Sequence, residues 1–218
     1  KINNIIMFKL NEVYFDTIIS LGYNCTIANF LADNFYRKYS FPFDWVLVNL
    51  EYIIKCFEDN FNNFFDKNNF IETNYYGKPA GEINIKKERL ITYVHDGKYK
   101  ELINNEEYYI FHKDKYKRRI DRLYNNLNSK QNVLLILYEY NTTTQQFSDF
   151  IDCLKRQHFV CNLRLLIFTR NKYFTNFSND NIYIEYNNKI NKKYIEVFLL
   201  KNINARKYKK IKKFYEKI

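Results

Sequence analysis

A cysteine stands directly after a short glycine turn near the start of the chain. Residues 18–25 read IISLGYNC, the pattern of a buried strand, a tight turn at Gly22 and a helix whose first turn carries the cysteine. The unpaired amides and aligned dipoles at a helix start stabilise negative charge, so a cysteine there has a pKa below the roughly 8.5 of a free thiol. Cys25 is therefore a candidate nucleophile. The alternative is a small apolar residue packed under the sheet.

A nucleophilic thiol needs a base that accepts its proton. The chain contains three histidines. His112 and His158 lie in stretches typical of a surface helix or loop, whereas His95 follows an apolar run and precedes Gly97, where the backbone can turn near a pocket. His95 is therefore the predicted base, with a hydrogen-bonded histidine at a strand end as the alternative.

Two carboxylates could orient that base. Asp44 lies between two large aromatic residues in the PFDW run at 42–45, where a carboxylate requires a partner. Asp96 follows His95 directly and could serve only if the strand ends there, because neighbouring strand residues point to opposite faces. Both remain candidates, and the structural alternative for Asp44 is a helix cap or a bond to a buried amide.

The same glycine turn also offers groups that could bind an anion. The Cys25 amide with Asn24 or Ser20 could form an oxyanion hole at the helix start. Alternatively, the turn with Gly22 could hold a phosphate, such as the diphosphate of a nucleotide-sugar. The arginines that could assist are Arg37, Arg118, Arg119 and Arg122. Their alternative role is an exposed basic helix face paired with Asp114 and Asp121.

Several motifs together resemble a known family. They are SLGYNCTIA at 20–28, Arg37, SFPFDW at 40–45, VHD at 94–96 and KYKRRIDR at 115–122. In this order they are similar to the papain-like cysteine peptidase family, over roughly residues 17 to 170. The resemblance implies an enzyme, a cysteine-dependent hydrolase or acyl transferase acting on a peptide, acyl or glycan substrate.

The chain departs from papain itself in three respects. Ile19 stands in the region where papain-like enzymes have a glutamine, and the Cys-Gly-Ser-Cys-Trp signature is absent. His95 follows Cys25 after about 70 residues, whereas papain has a separation of about 130 to 150. These departures favour a thiol-dependent site over a specific peptidase activity.

Charge is concentrated at the end of the chain. The formal net charge is +11, and the segment from Lys201 to Ile218 contains eight cationic residues against Glu216 alone. Its apolar spacing predicts an amphipathic, lysine-rich helix at about 203–217 with lysines in water. The alternative is contact with a polyanion, so a basic nucleic-acid-binding protein is the third function considered.

Composition limits the remaining classes. The abundance of asparagine, lysine, isoleucine, tyrosine and phenylalanine is typical of an AT-rich genome, and 46% hydrophobic residues over 218 positions predict one domain over 1–218. No apolar run approaches the ~20 residues of a membrane span, and the first ten residues are too polar for a signal peptide. We expect a soluble, cytoplasmic protein. The four cysteines predict neither disulfides nor a zinc site, and no cofactor is expected.

Hydrophobic periodicity predicts the elements that position these residues. Strands are expected at 17–21, 83–85, 90–95, 132–137, 163–169 and 181–186, and helices at 26–35, 49–65, 113–128 and 143–157. The alternation of strand, helix and strand after residue 132 indicates parallel pairing with right-handed crossovers. The predicted fold is therefore α/β, with a mixed, largely parallel sheet and helices on both faces. The resemblance implies the alternative of an α+β papain-like fold.

Overall fold

A computed structural model describes residues 8–10, 12–34, 36–37, 39–75, 78–85, 91–93, 99–139 and 141–202. The strands are β1 (Phe8–Leu10), β2 (Val13–Phe15), β3 (Thr17–Ser20), β4 (Leu47–Val48), β5 (Phe70–Tyr75), β6 (Lys78–Ile85), β7 (Ile91–Thr92), β8 (Asn132–Glu139), β9 (Asn162–Thr169) and β10 (Ile182–Tyr186). The helices are α1 (Cys25–Asp33), α2 (Leu50–Glu58), α3 (Tyr99–Asn104), α4 (Glu106–Leu127), α5 (Thr144–Arg156) and α6 (Lys192–Asn202).

A four-stranded parallel sheet has the order β10-β9-β8-β3. Its strands are apolar on both faces because each face is covered by helices. Along β8, Val133 and Leu135 join one hydrophobic cluster, whereas Leu134 and Ile136 join the other. The predicted α/β fold with a largely parallel sheet is confirmed.

Helices cover the two faces of this sheet differently. On one face, Ile27 of α1 packs in the same cluster as Ile195 and Leu199 of α6. On the other face, the cluster includes residues of α2, α4 and α5, among them Ile53 and Leu123. The prediction of helices on both faces is therefore also confirmed.

The chain leaves two neighbouring parallel strands in opposite directions. After β3 it enters α1 on one face, and after β8 it enters α5 on the other. In open α/β sheets such a divergence opens a crevice outside the carboxyl ends of the two strands, where ligands bind. Cys25 begins α1 at this end of the sheet, so the fold brings the candidate nucleophile to the carboxyl ends of these two strands.

A second, antiparallel sheet has the order β4-β7-β6-β5. The predicted pairing of the strands near 83–85 and 90–95 is present, with Asn84 opposite Thr92. β4 and β5, which flank this pair, were not predicted from the sequence, and β6 is longer than predicted. The part of the predicted strand beyond residue 93 lies outside the described residues.

Two predicted helix boundaries are wrong. The helix predicted over 49–65 ends at Glu58, because Asn60, Phe61 and Phe65 have positive φ angles of 55°, 61° and 59°. The helix predicted from 113 begins at Glu106, where the Asn105 side chain accepts a hydrogen bond from the Tyr108 amide.

The last described helix of the chain also differs from the prediction. The sequence analysis missed α6, and the lysine-rich helix predicted at about 203–217 lies outside the described residues. Within the described ranges, every helix is too short or too polar to cross a lipid bilayer.

Gly22 allows β4 of the antiparallel sheet to pack closely against the end of β3 in the parallel sheet. Its φ of +91° is a left-handed conformation, and a Cβ atom there would lie 2.3 Å from Cγ1 of Val48 in β4. We predict that Gly22→Ala lowers the free energy of unfolding by about 2–5 kcal/mol, from backbone strain plus overpacking. Guanidinium unfolding of both proteins measures this loss.

A double variant tests the cause of the loss. Val48→Ala removes the methyl group that a Cβ at Gly22 would meet, so the loss in the Gly22→Ala/Val48→Ala protein should be smaller than the sum of the two single losses by about 1 kcal/mol or more. Strictly additive losses would contradict the close contact between these two positions.

Candidate active site around Cys25

Cys25 is the first residue of α1. The preceding residue, Asn24, caps the helix: its side-chain oxygen accepts a hydrogen bond of 2.9 Å from the Thr26 amide. The Cys25 side chain is partly exposed, whereas the other three cysteines are buried. The predicted strand, turn and helix start are therefore present, and the sulfur at the helix start is within reach of solvent.

The thiol ionises less readily than its position at a helix start predicts. Burial raises the pKa of Cys25, and the negative charge of Asp44 raises it further. The predicted lowering of the pKa is wrong in direction, because desolvation of the sulfur and this nearby carboxylate outweigh the helix dipole. At neutral pH the protonated thiol is favoured, so a nucleophilic role requires a base.

Internal hydrogen bonds already occupy several amides of the glycine turn. Ser20 is fully buried, and its hydroxyl accepts a hydrogen bond of 3.3 Å from the Gly22 amide. The Leu21 amide donates to the Ile136 carbonyl at 2.9 Å, and the Thr26 amide donates to Asn24. Ser20, Gly22 and Asn24 thus shape the turn, which leaves fewer of its donors for a phosphate.

Asp44 is the buried carboxylate of the site. Its exposed fraction is 0%, and its Oδ2 atom accepts a hydrogen bond of 2.7 Å from the Phe41 amide. The same oxygen accepts a second hydrogen bond from the Arg37 guanidinium, whose side chain is only 6% exposed. Burial raises the pKa of Asp44, and the charge of Arg37 is the largest opposing influence.

The second oxygen of this carboxylate is not satisfied in the same way. Asp44 Oδ1 is buried and makes no hydrogen bond within the described part of the chain. A buried carboxylate oxygen without a donor is costly, and such groups mark sites where a further partner is used. The preceding residue, Phe43, packs against the glycine turn, with its carbonyl 3.4 Å from the position of a Cβ at Gly22.

Two residues beside the site have left-handed backbone conformations that side chains rarely adopt. Tyr23 has a φ of 69° and Trp45 a φ of 67°. The Tyr23 ring meets Tyr138 edge-on at 5.2 Å, and the Arg37 guanidinium lies 5.2 Å from the Trp45 ring centre. Strained residues held by such contacts cluster at functional sites.

Three of the four predicted arginines converge on the segment from residue 36 to residue 45. Arg37 binds Asp44. Arg122 on α4 donates to the Ser40 carbonyl and lies 4.7 Å from the Tyr39 ring centre.

Arg119, on the same helix, is close enough to the cluster to influence the pKa of Asp44 and that of Arg37. Arg118 is exposed, so the alternative of an exposed basic face applies to it and not to the partly buried Arg119 and Arg122.

The histidines fall into different environments. His95 and Asp96 lie within residues 94–98, outside the described residues. His158 is exposed, as predicted. His112 was predicted to be at the surface but is buried on α4, 6.3 Å from the Phe65 ring centre. The helix begins earlier than predicted, and its inner face carries His112 into an aromatic cluster.

The Arg37–Asp44 pair is the feature that the sequence analysis missed. Asp44 was recognised as a carboxylate that needs a partner, but its partner was not identified. The available signal was Arg37 itself, a cation that precedes the apolar SFPFDW run and that burial would force to find an anion. Elsewhere, the described residues contain no group of three or more histidine, cysteine or acidic side chains placed to hold a metal ion.

The fold and the site define a class of protein. It is an open α/β protein with a partly exposed cysteine after its first parallel strand, beside a buried carboxylate. A family model described as "Putative papain-like cysteine peptidase (DUF1796)" matches residues 16–167, more than two thirds of the chain. The chain therefore belongs to this family. A search of curated proteins and a search of solved structures each found no match.

The Arg37–Asp44 pair gives a prediction about stability. Arg37→Met leaves an ionised, buried Asp44 without its cation, and we expect the free energy of unfolding to fall by about 3–5 kcal/mol near pH 7.5. The folded-state pKa of Asp44 lies above its unfolded value, so stability from the protonated carboxyl is fully present below the unfolded pKa and is lost as the pH rises through the folded pKa.

Loss of Arg37 raises that folded pKa further and widens this pH window. The deficit of Arg37→Met relative to the unchanged protein should therefore be smaller near pH 5 than near pH 7.5, as measured by guanidinium unfolding. Arg156→Met is the matched control: its partner Glu58 is 2.9 Å away, and the two side chains are 61% and 48% exposed. That loss should stay below about 1 kcal/mol. Equal losses in both variants would refute a special role for the buried pair.

Proposed function

We propose that this protein is a cysteine-dependent hydrolase or acyl transferase with Cys25 as its nucleophile. Membership of the family supports this proposal. The observation that carries it is the juxtaposition of a partly exposed thiol at the first residue of α1 with the buried carboxylate of Asp44, one oxygen of which has no partner among the described residues.

His95 is the proposed base. The raised pKa of Cys25 means that the thiol needs a group that accepts its proton. Antiparallel pairing sets Leu47 opposite Thr92, so the end of β7 lies beside the start of β4, where the PFDW turn finishes. His95 follows Tyr93, the last described residue of this segment, by two positions in the sequence.

Asp44 is the favoured residue for orienting the base. Its Oδ2 atom is occupied by Arg37 and the Phe41 amide, which fixes the plane of the carboxylate. Oδ1 remains to accept a hydrogen bond from an imidazole N–H, the arrangement that holds a catalytic histidine in the correct tautomer. Asp96 is the alternative orienting residue.

The reaction follows from these assignments. The proton of the Cys25 thiol passes to the imidazole, and the sulfur attacks the substrate carbonyl carbon to form a C–S bond. Amides at the start of α1, with the Asn24 side chain, stabilise the developing oxyanion. The leaving group departs with the proton from the imidazolium. Water then hydrolyses the thioester, or a second nucleophile takes the acyl group in a transferase.

Acylation of Cys25 tests the proposal directly. We predict that p-nitrophenyl acetate acetylates Cys25 with a burst of p-nitrophenolate, detected by absorbance and by mass spectrometry of the modified peptide. Cys25→Ala should abolish the burst, whereas Cys161→Ala, which removes a buried thiol, should retain it. His95→Ala should slow acylation by about 100-fold or more. A burst that survives in Cys25→Ala would overturn the proposal.

Asp44 should have opposite effects on thiol ionisation and on turnover. In Asp44→Asn the negative charge that raises the Cys25 pKa is absent, so that pKa falls and alkylation by iodoacetamide near pH 7.5 becomes faster. Acylation by p-nitrophenyl acetate becomes slower by about 100-fold or more, because the base loses its orienting group. Alkylation rates against pH and the ester burst measure the two effects.

Asp96→Asn is the control for that experiment and should change neither rate. The double variant Arg37→Met/Asp44→Asn removes both charges of the buried ion pair and serves if the single substitution unfolds the protein. Slow acylation in Asp96→Asn with normal acylation in Asp44→Asn would assign the orienting role to Asp96.

The Cys25→Ala protein also distinguishes the proposed hydrolase from the second candidate function. A transferase or binding protein that holds a phosphate or nucleotide-sugar at the turn would bind its ligand equally well without the sulfur. Occupation of the Leu21, Gly22 and Thr26 amides disfavours that function. The third function, binding of nucleic acid, depends on the lysine-rich segment after residue 202, outside the described residues.

A further inference from the structure

Arg119 adds a second guanidinium group to the cluster around Asp44. Arg37 and Asp44 form a buried ion pair, and Arg119 lies near enough to lower the pKa of both. Among the described residues, two guanidinium groups therefore accompany the buried carboxylate of Asp44, and the further carboxylate that acts on Arg37, that of Asp33, is exposed. Buried or partly buried charges are retained where a counter-ion or ligand pairs with them.

The four arginines near the site differ in what they contact. Arg37 donates to Asp44, and Arg122 donates to the Ser40 carbonyl. Arg118 is exposed to solvent. Arg119 alone among them has a buried guanidinium nitrogen, Nη1, that makes no hydrogen bond within the described ranges. A buried donor of this kind needs an explanation, and water, an ion or a ligand bound beside it would supply the acceptor.

The orientation of Arg119 is already defined. Its guanidinium lies 5.2 Å from the ring centre of Tyr116, which is itself buried. Stacking on an aromatic face holds the planar guanidinium, which then presents N–H groups in the geometry that matches a carboxylate. The described charged side chains around this cluster have a net charge of +1, which one monoanionic carboxylate would neutralise and a phosphate dianion would exceed. They are Arg37, Arg119, Arg122, Asp33 and Asp44.

We propose that Arg119 binds a carboxylate on the substrate that reacts at Cys25. The segment that carries Asp44 connects Arg119 to Cys25. Arg122, one turn along α4 from Arg119, donates to the Ser40 carbonyl of this segment, and Phe43 of the same segment packs against Gly22, three residues before Cys25. The influences of Asp44 on the Cys25 pKa and of Arg119 on the Asp44 pKa agree with this placement. The substrate class is an acyl compound with a second, anionic carboxylate several atoms from the reacting carbonyl. This inference deepens the proposed function and rests on it only in taking Cys25 as the place of reaction.

Two maleimides of different charge test the proposal without requiring turnover. The Cys25 sulfur adds to the maleimide double bond, a new C–S bond forms, and solvent returns the proton to the neighbouring carbon. 3-Maleimidopropionate carries a carboxylate at the end of its side arm, and N-ethylmaleimide is the neutral counterpart. The ratio of their second-order rate constants at Cys25, measured by peptide mass spectrometry at low salt, reports recognition of the anion.

We expect Arg119→Gln to lower this ratio by about tenfold, the effect of one charge-assisted hydrogen bond. Arg118→Gln removes the same charge from the adjacent, exposed position and should leave the ratio unchanged. Arg119→Lys keeps the charge without the planar fork and should give an intermediate ratio. It also replaces Arg119→Gln if that protein fails to fold.

Several outcomes would overturn the inference. These are equal ratios in Arg119→Gln and the unchanged protein, an equal fall in Arg118→Gln, and no modification of Cys25 by either maleimide. The result is separable from the proposed function. If the ratio falls in Arg119→Gln but p-nitrophenyl acetate does not acetylate Cys25, the hydrolase is rejected and the anion site is retained. If Cys25 is acetylated but the ratio does not fall in Arg119→Gln, the role of Arg119 is rejected and the hydrolase is retained.

Discussion

The ion pair between Arg37 and Asp44 is the interaction on which the site depends. Removal of two charges from water costs several kcal/mol per ion, and the pair compensates only because its geometry and additional hydrogen bonds are favourable. Here the Phe41 amide supplies one such bond, and the Trp45 ring covers the guanidinium. The pair thereby holds the segment from residue 36 to residue 45 against the glycine turn. The thiol, the carboxylate and the second guanidinium owe their proximity to that segment.

The parts of the fold that were predictable are those in which local pattern and tertiary burial agree. β8 and β9 are apolar on both faces, and only a sheet covered on both sides accommodates such runs. The start of α1 was predictable because Gly22 and Asn24 are residues that turns and helix caps require. The position of Cys25 relative to the sheet followed from these two features.

The parts that were not predictable depend on contacts between residues distant in sequence. Phe61, Phe64 and Phe65 have helical spacing, yet left-handed turns direct them into an aromatic cluster that also contains Tyr93 and Tyr116, and this packing overrides periodicity. The direction of the Cys25 pKa shift has the same origin, because burial and Asp44 are tertiary features. The partner of Asp44 could be identified only from the folded conformation of the segment between α1 and β4.

Because Gly22 has no side chain, the antiparallel sheet that contains β4 packs directly against the end of β3 in the parallel sheet. β4 can approach the end of β3 only because no Cβ stands between Gly22 and Val48, and β4 is paired in turn with β7. A displacement of the antiparallel sheet towards β3 would therefore press on Gly22, three residues before Cys25. The approach of the second sheet and the shape of the turn before α1 are thus set by one steric contact.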